Sequence, residues 1–217
     1  ILGFGVYANE SKETWKSFIR DLKARGLRNV LMITSDAHEG LCDAISKEFP
    51  QAAWQRCQFH FSKNIAEKAP KKYQAGIRSE LSEMFNCITI EEARRKRDSI
   101  IADYQEVAES AMTCLDEGFE SSMTAMILPK YLRQYFRTSN HIERINRELK
   151  RRSKVIGVFP NEASILRLMG SVLMELNDAA QARKVLFSPK TYNKLMSTEV
   201  KNKLIILANE QQLLRVS

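Results

Sequence analysis

An α/β fold interrupted by a long helical stretch is the class this chain predicts. Three features carry that expectation. Short apolar runs lie near the start, amphipathic helical segments separate them, and about 75 residues of helical periodicity with little strand signal follow.

Taken in order, Ile1 to Ala8 is apolar and aromatic with two glycines, and is expected as a strand. Ser11 and Glu13 open a helix whose core face is Trp15, Phe18, Ile19 and Leu22, and Gly26 closes it. The β-branched run NVLMIT, Asn29 to Thr34, predicts a buried strand. A helix from Glu39 to Phe49 and a short strand at Ala52 to Gln55 complete a β-α-β-α-β order, which implies a sheet with helices on its faces. From about Ser62 the pattern turns helical. Tyr73, Ile77, Leu81 and Met84 mark one helix, and a Thr89/Glu92 capping box opens the next, whose EEARRKRDSI run makes a solvated mixed-charge face. Pro129 ends this part, and a basic helix begins near Asn140. After Pro160, Asn161 caps a helix with Ile165, Leu168, Met169, Val172 and Leu176 inside, and two further helical stretches finish the chain. The expected divisions are a first α/β part over 1–61, a helical insertion over 62–136, the basic helix within 137–160, and C-terminal helices over 161–217.

Composition narrows the function. With 44% hydrophobic residues in 217, the chain can bury a real core as one large domain or one domain with an insertion. The net charge of +8 and a pI near 9.4 point to a polyanionic partner. No apolar run approaches the roughly 18 residues of a membrane span, and no basic-then-apolar leader opens the chain. Cys42, Cys57, Cys87 and Cys114 are scattered without a CxxC pair, the pattern of reduced thiols in a cytoplasmic protein. The chain opens on ILGFGVY without an initiator Met, so it is expected to be part of a longer reading frame.

Charge is concentrated in one place. Between Arg137 and Lys154 the sequence has seven Lys or Arg against Glu143 and Glu148. Arg144, Arg147, Lys150, Arg151, Arg152 and Lys154 are therefore the candidate phosphate-binding residues. Asn140 is suited to cap this helix, and Glu143 could reach back to the cap amide. Ile142, Ile145 and Leu149 have the spacing of a buried stripe, with Glu143, Arg147, Lys150 and Lys154 on the flank beside it. Glu143 is thus either a capping acid or a site acid. Asp36 has two readings also: a turn residue opening the next helix, or a ligand at the carboxyl end of a strand, where α/β sheets bind ligands. Two such carboxylates could together hold Mg²⁺, a hard ion that takes oxygen ligands and supports phosphodiester chemistry. Cys57 and His60 form a Cys-x-x-His pair at metal-ligand spacing. A structural zinc site wants four ligands and no matching second pair is present, so these two are expected to pack and hydrogen-bond around the site.

Three segments carry a resemblance: SDAHEGL at Ser35–Leu41, RCQFHFSKN at Arg56–Asn64, and TSNHIERINRELKRRSKVIGVFPN at Thr138–Asn161. In order and over nearly the whole chain they resemble the Mutator-like (IS256-type) bacterial transposases. The resemblance implies an RNase H-like fold with an Asp-Asp-Glu triad and a helical insertion before the Glu. Asp36 would be the second acid and Glu143 the third, both catalytic and both ligands to Mg²⁺ or Mn²⁺. Cys57 and His60 match the family's Cys-x-x-His signature, and with Asn140 they would orient the site. The first acid is expected upstream of ILGFGVY, together with the region that recognises element ends, so this portion alone is expected to be inactive. Implied partners are double-stranded DNA at element ends and target, and further copies of the full-length chain. Two other readings stay open: a non-catalytic nucleic-acid-binding module, and an interaction protein whose basic face meets an acidic partner.

Overall fold

The structure, a computed structural model, describes residues 1–182 and 187–216. Residues 183–186 and 217, part of the stretch expected as C-terminal helices, lie outside the described residues. Helices dominate, around a small parallel β-α-β unit. The opening helix α1, Lys12–Ala24, begins with a capping box in which Ser11 and Thr14 satisfy each other's amides, and buries Ile19. Gly26 follows it at φ +105°, a left-handed conformation that glycine adopts without steric cost.

The sheet is smaller than the sequence suggests. Strand β1, Met32–Ser35, and strand β2, Ala53–Arg56, pair in parallel, joined through helix α2, Glu39–Glu48. Met32 sits opposite Ala53 and Ser35 opposite Arg56. The expected strand at Asn29 starts three residues late because Asn29 takes φ +55°, a left-handed turn conformation outside the β region. Ile1 to Ala8, expected as a third strand, joins no ladder among the described residues. Instead the segment lies against helices. The Leu2 carbonyl accepts from Arg25 Nη1 at 3.0 Å, and the Phe4 ring lies 3.3 Å from the point where Gly170 would carry a Cβ. The expected β-α-β-α-β order is therefore β-α-β here.

Seven more helices run from β2 to the C-terminal region: α3 (Gln58–Glu67), α4 (Lys71–Asn86), α5 (Ile90–Tyr104), α6 (Glu109–Ser122), then, after a 3-10 turn at Thr124–Ile127, α7 (Lys130–Phe136), α8 (Asn140–Lys154) and α9 (Glu162–Gln181). Two others, α10 (Pro189–Leu195) and α11 (Thr198–Val216), follow. The Thr89/Glu92 capping box and the Asn161 cap, whose side chain accepts from Ser164 N, are both formed. Helix α7 was not anticipated.

Three apolar clusters hold these elements. Phe61, Ile65, Ile77, Leu81, Met84 and Phe119 belong to one built by α3 to α6. A second joins Ala53 to Leu128, Leu132, Val200, Leu204 and Ala208, so α11 closes over β2. The third packs Ile19 of α1 on Ala44 and Ile45 of α2. Gln211 of α11 also clasps the backbone of β2, accepting from Trp54 N at 2.8 Å and donating to Trp54 O at 2.9 Å.

A buried polar joint ties β2 to the helical part. Gln55, fully buried, accepts from Ala125 N at 2.6 Å and donates to Ser122 O at 2.7 Å. Replacing Gln55 with Leu keeps the volume but strands a buried N–H. Gln55→Leu should therefore lower the unfolding free energy by about 1–3 kcal/mol in urea titration, and an unchanged midpoint would contradict this role.

Candidate active site

Because β1 and β2 run in parallel, their carboxyl ends emerge together, bringing Asp36 and Cys57 to one end of the sheet. The pairing continues one step beyond the strands, with Cys57 N donating to Ser35 O at 2.7 Å. The start of the basic helix is pinned to the same end. Thr34 Oγ1 donates to Phe136 O at 2.6 Å, and Gln58 N donates to Arg137 O at 3.0 Å. Residues a hundred positions apart are thereby fixed beside each other.

The cap of α8 differs from expectation. Ser139, not Asn140, stands at the cap position, and its side chain makes no capping bond. Glu143 does not close a capping box either. Its Oε1 accepts from Ser139 Oγ at 3.0 Å and lies 3.0 Å from His60 Nε2, while Ser139 N and Oγ reach Cys57 Sγ at 3.3 and 3.2 Å. The sulfur of Cys57, a ring nitrogen of His60 and a carboxylate oxygen of Glu143 all lie within 4.8 Å of one another. Asp36 is not in that group of three. Its half-buried carboxylate has no hydrogen bond or ion pair among the described residues, nor does Glu143 Oε2. Ser139 is the member that sequence reading missed. Its only signal was a hydroxyl residue directly before Asn140, and Asn140 itself makes no side-chain hydrogen bond among the described residues.

Helix α8 lies on the surface and packs on α9. No residue of α8 is buried, and Ile142, expected in a buried stripe, is 58% exposed. Ile145 and Leu149 are half-buried. One neighbouring helix covers only a narrow strip of its surface, so the stripe is shorter than its periodicity implied. The cations fall into two sets. Glu148 engages Arg151 at 2.6 Å and Arg152 at 2.9 Å, Arg152 also reaches Glu175 at 3.5 Å, and Arg137 bonds Asn86 Oδ1 at 2.9 Å. Arg144, Arg147, Lys150 and Lys154 form no ion pair with any described residue.

The two arginines hold the Glu148 carboxyl down to about 2, from a usual value of 4.5. A depressed carboxylate contributes stability at neutral pH that is lost as pH falls through that interval. Helicity of α8 should accordingly fall in far-UV circular dichroism between about pH 4.5 and 2. In Glu148→Gln that acid-dependent step should be missing, and its persistence would assign it to other groups.

Two surface cavities, about 650 and 490 Å³, lie elsewhere: one beside Cys42 and Trp54, the other beside Cys87 and Arg133. Glu143 lines neither. Its carboxylate, 30% exposed, lies in the first turn of the basic helix itself.

Comparison with known proteins decides the family. A family model described as transposase, Mutator family, matches residues 1–182. This chain belongs to the Mutator family of transposases. It is 40% identical over 180 residues to the transposase for insertion sequence element IS256 in transposon Tn4001 of Staphylococcus aureus, covering 82% of this chain and 46% of that protein. It is 36% identical over 185 residues to the transposase for insertion sequence element IS1081 of Mycobacterium tuberculosis, covering 82% of this chain and 43% of that protein. A transposase for insertion sequence element IS406 from Burkholderia multivorans is 36% identical over 190 residues, with 85% and 48% covered. The chain thus spans about half the length of the curated relatives it matches. Among the described residues, no helix of this Mutator-family chain is long and apolar enough to cross a membrane.

Proposed function

We propose that this chain is the catalytic-domain portion of a DDE transposase with an RNase H-like core, which cuts and joins DNA at insertion-element ends. The observation that carries the reading is the position of Glu143. It is bonded to Ser139 and faces His60 near the carboxyl ends of two parallel strands, the end of the sheet from which Asp36 also emerges, and at the root of a basic helix. A pure phosphate-gripping surface has no use for that carboxylate.

The donor set fits a hard divalent cation. The Asp36 carboxylate and Glu143 Oε2 are oxygen donors without partners among the described residues, and would hold Mg²⁺ or Mn²⁺. Bound there, divalent metal would supply activation of the attacking oxygen and stabilisation of the leaving one in phosphodiester transfer. The protein's own task is positional. Ser139 fixes Glu143 Oε1 from one side and His60 fixes it from another, so Oε2 is presented without rotamer search. Cys57 holds Ser139, and thereby the first turn of α8. Arg144, Arg147, Lys150 and Lys154 bind phosphates along the duplex, with Arg151 and Arg152 available when DNA displaces Glu148. Water attacks the phosphodiester at the element end and releases a 3′-hydroxyl; that hydroxyl then attacks a target phosphodiester and displaces its 3′ oxygen, with no covalent protein intermediate.

Of the three acids the family resemblance implies, two are assigned here, Asp36 and Glu143; strand transfer by the purified 217-residue chain is not expected from two, and its observation would overturn that assignment. Metal-dependent nicking of supercoiled DNA is the more sensitive test of the site. Glu143→Gln should abolish any such nicking while DNA affinity is kept or raised, since a negative charge near the phosphates is removed. Nicking that survives Glu143→Gln would remove Glu143 from the chemistry, and no metal-dependent nicking by either form would favour a DNA-binding module.

A further inference from the structure

We propose that Cys57 Sγ, His60 Nε2 and Glu143 Oε1 form a three-ligand Zn²⁺ site with an open fourth position. The Cys-x-x-His pair alone lacked partners in the sequence; the fold supplies the third from 83 residues beyond His60. The three atoms lie within 4.8 Å of one another, and His60 Nε2 is 3.0 Å from Glu143 Oε1. Zinc bonds of about 2.0–2.3 Å in tetrahedral geometry set ligand atoms about 3.3–3.8 Å apart, so small side-chain rotations close the site. One sulfur, one imidazole nitrogen and one carboxylate oxygen make a borderline-soft set. Such a set suits zinc and is foreign to Mg²⁺.

Two features around the cluster favour a bound cation. Cys57 is fully buried at the N-terminal cap of α3, which holds its sulfur in place beside His60. Its sulfur also receives Ser139 N at 3.3 Å, an outer hydrogen bond that orients a sulfur ligand, and Ser139 Oγ, shared with Glu143 Oε1, lies 3.2 Å away. The His60 and Glu143 side chains remain 36% and 30% exposed, which leaves a path for a water as the fourth ligand. On binding, the Cys57 thiol releases its proton to solvent. Zinc would take the Nε2 lone pair of His60, so the ring proton that faces Glu143 Oε1 without zinc would have to move to Nδ1. Glu143 is shared with the proposed phosphodiester site, so zinc held here withdraws that carboxylate from magnesium. The zinc site is measured with no DNA and no turnover, so either proposal can fail alone.

The test is Co²⁺ titration of the 217-residue chain, followed by Zn²⁺ displacement. A single equivalent should give tetrahedral ligand-field bands and a thiolate-to-cobalt charge-transfer band, both erased by one equivalent of zinc. Cys57→Ser should remove the charge-transfer band. His60→Asn and Glu143→Gln should each weaken zinc at least tenfold, and Cys87→Ser should change nothing. X-ray absorption of the zinc-loaded, unsubstituted chain adds a reading that needs no variant: one sulfur at about 2.3 Å with nitrogen and oxygen at about 2.0–2.2 Å. A zinc shell without sulfur, zinc affinity untouched by Glu143→Gln, or no stoichiometric binding would each overturn the proposal.

Discussion

Changing Arg144, Arg147, Lys150 and Lys154 together to Gln is expected to weaken duplex DNA binding by three to four orders of magnitude near 0.1 M salt, and to flatten the slope of log K against log salt by about 3.6. The size follows from counterion release, at about 0.9 in slope per neutralised phosphate. These four were chosen because no described residue pairs with them, so their charge is wholly available to DNA. Arg151 and Arg152 begin bound to Glu148 and must exchange one carboxylate for another anion. Arg151→Gln should accordingly cost less than Arg147→Gln. Gln keeps good helix propensity, so α8 should survive all of these changes. Equal losses at 151 and 147, or a slope unchanged by the fourfold substitution, would place the DNA elsewhere.

Phe61→Ala should cost about 3–5 kcal/mol of unfolding free energy, the usual loss for a fully buried aromatic. Phe61 is completely buried where α3 meets α6, one residue from His60. The Arg56 guanidinium lies 4.5 Å from the ring centroid, and Arg56 Nε is buried without a hydrogen-bond partner among the described residues, so losing the ring also removes that cation's cover. The contact is tight from the other side too. A Cβ on Gly118 would come within 2.3 Å of the Phe61 ring and 2.5 Å of Arg56 Nη1. Because His60 and Phe61 are successive residues of α3, collapse around position 61 should also rotate His60 away from Glu143. Chemical denaturation reads the first effect, and a midpoint shifted by less than about 1 kcal/mol would show that the helical part does not rely on this ring.

What the sequence disclosed followed local rules. The Ser11 and Asn161 caps, the Thr89/Glu92 box, and the Ile77–Leu81–Met84 face depend on neighbours within one or two turns, and all are present. Ile1 to Ala8 misled because apolar and aromatic content marks burial without naming the partner, and here Phe4 lies against α9. Ile142 misled for the same reason: periodicity gives a face, while its burial needs a neighbour broad enough to cover it. Helix α7 has only seven residues, less than two turns, too short to establish a period. At the site, local reasoning could offer Glu143 only as a capping acid or a site acid, and Cys57 with His60 only as half of a metal site. The bonds that join them cross 82 and 83 residues. No spacing rule spans such a gap. The ordered motifs of the family span it, and the last of them contains Ser139, although no role was assigned to that residue.

The proposed mechanism depends on Asp36 and Glu143 acting on one ion. The most direct measurement is Mn²⁺ binding to the 217-residue chain with duplex DNA, followed by electron paramagnetic resonance, for the unsubstituted protein, Asp36→Asn, Glu143→Gln and the double variant. Two carboxylates on one ion form a unit, so either single substitution should release the DNA-dependent Mn²⁺ and the double should lose no more than the worse single. Full Mn²⁺ binding in Asp36→Asn, or losses that simply add, would mean that the two acids serve separate sites.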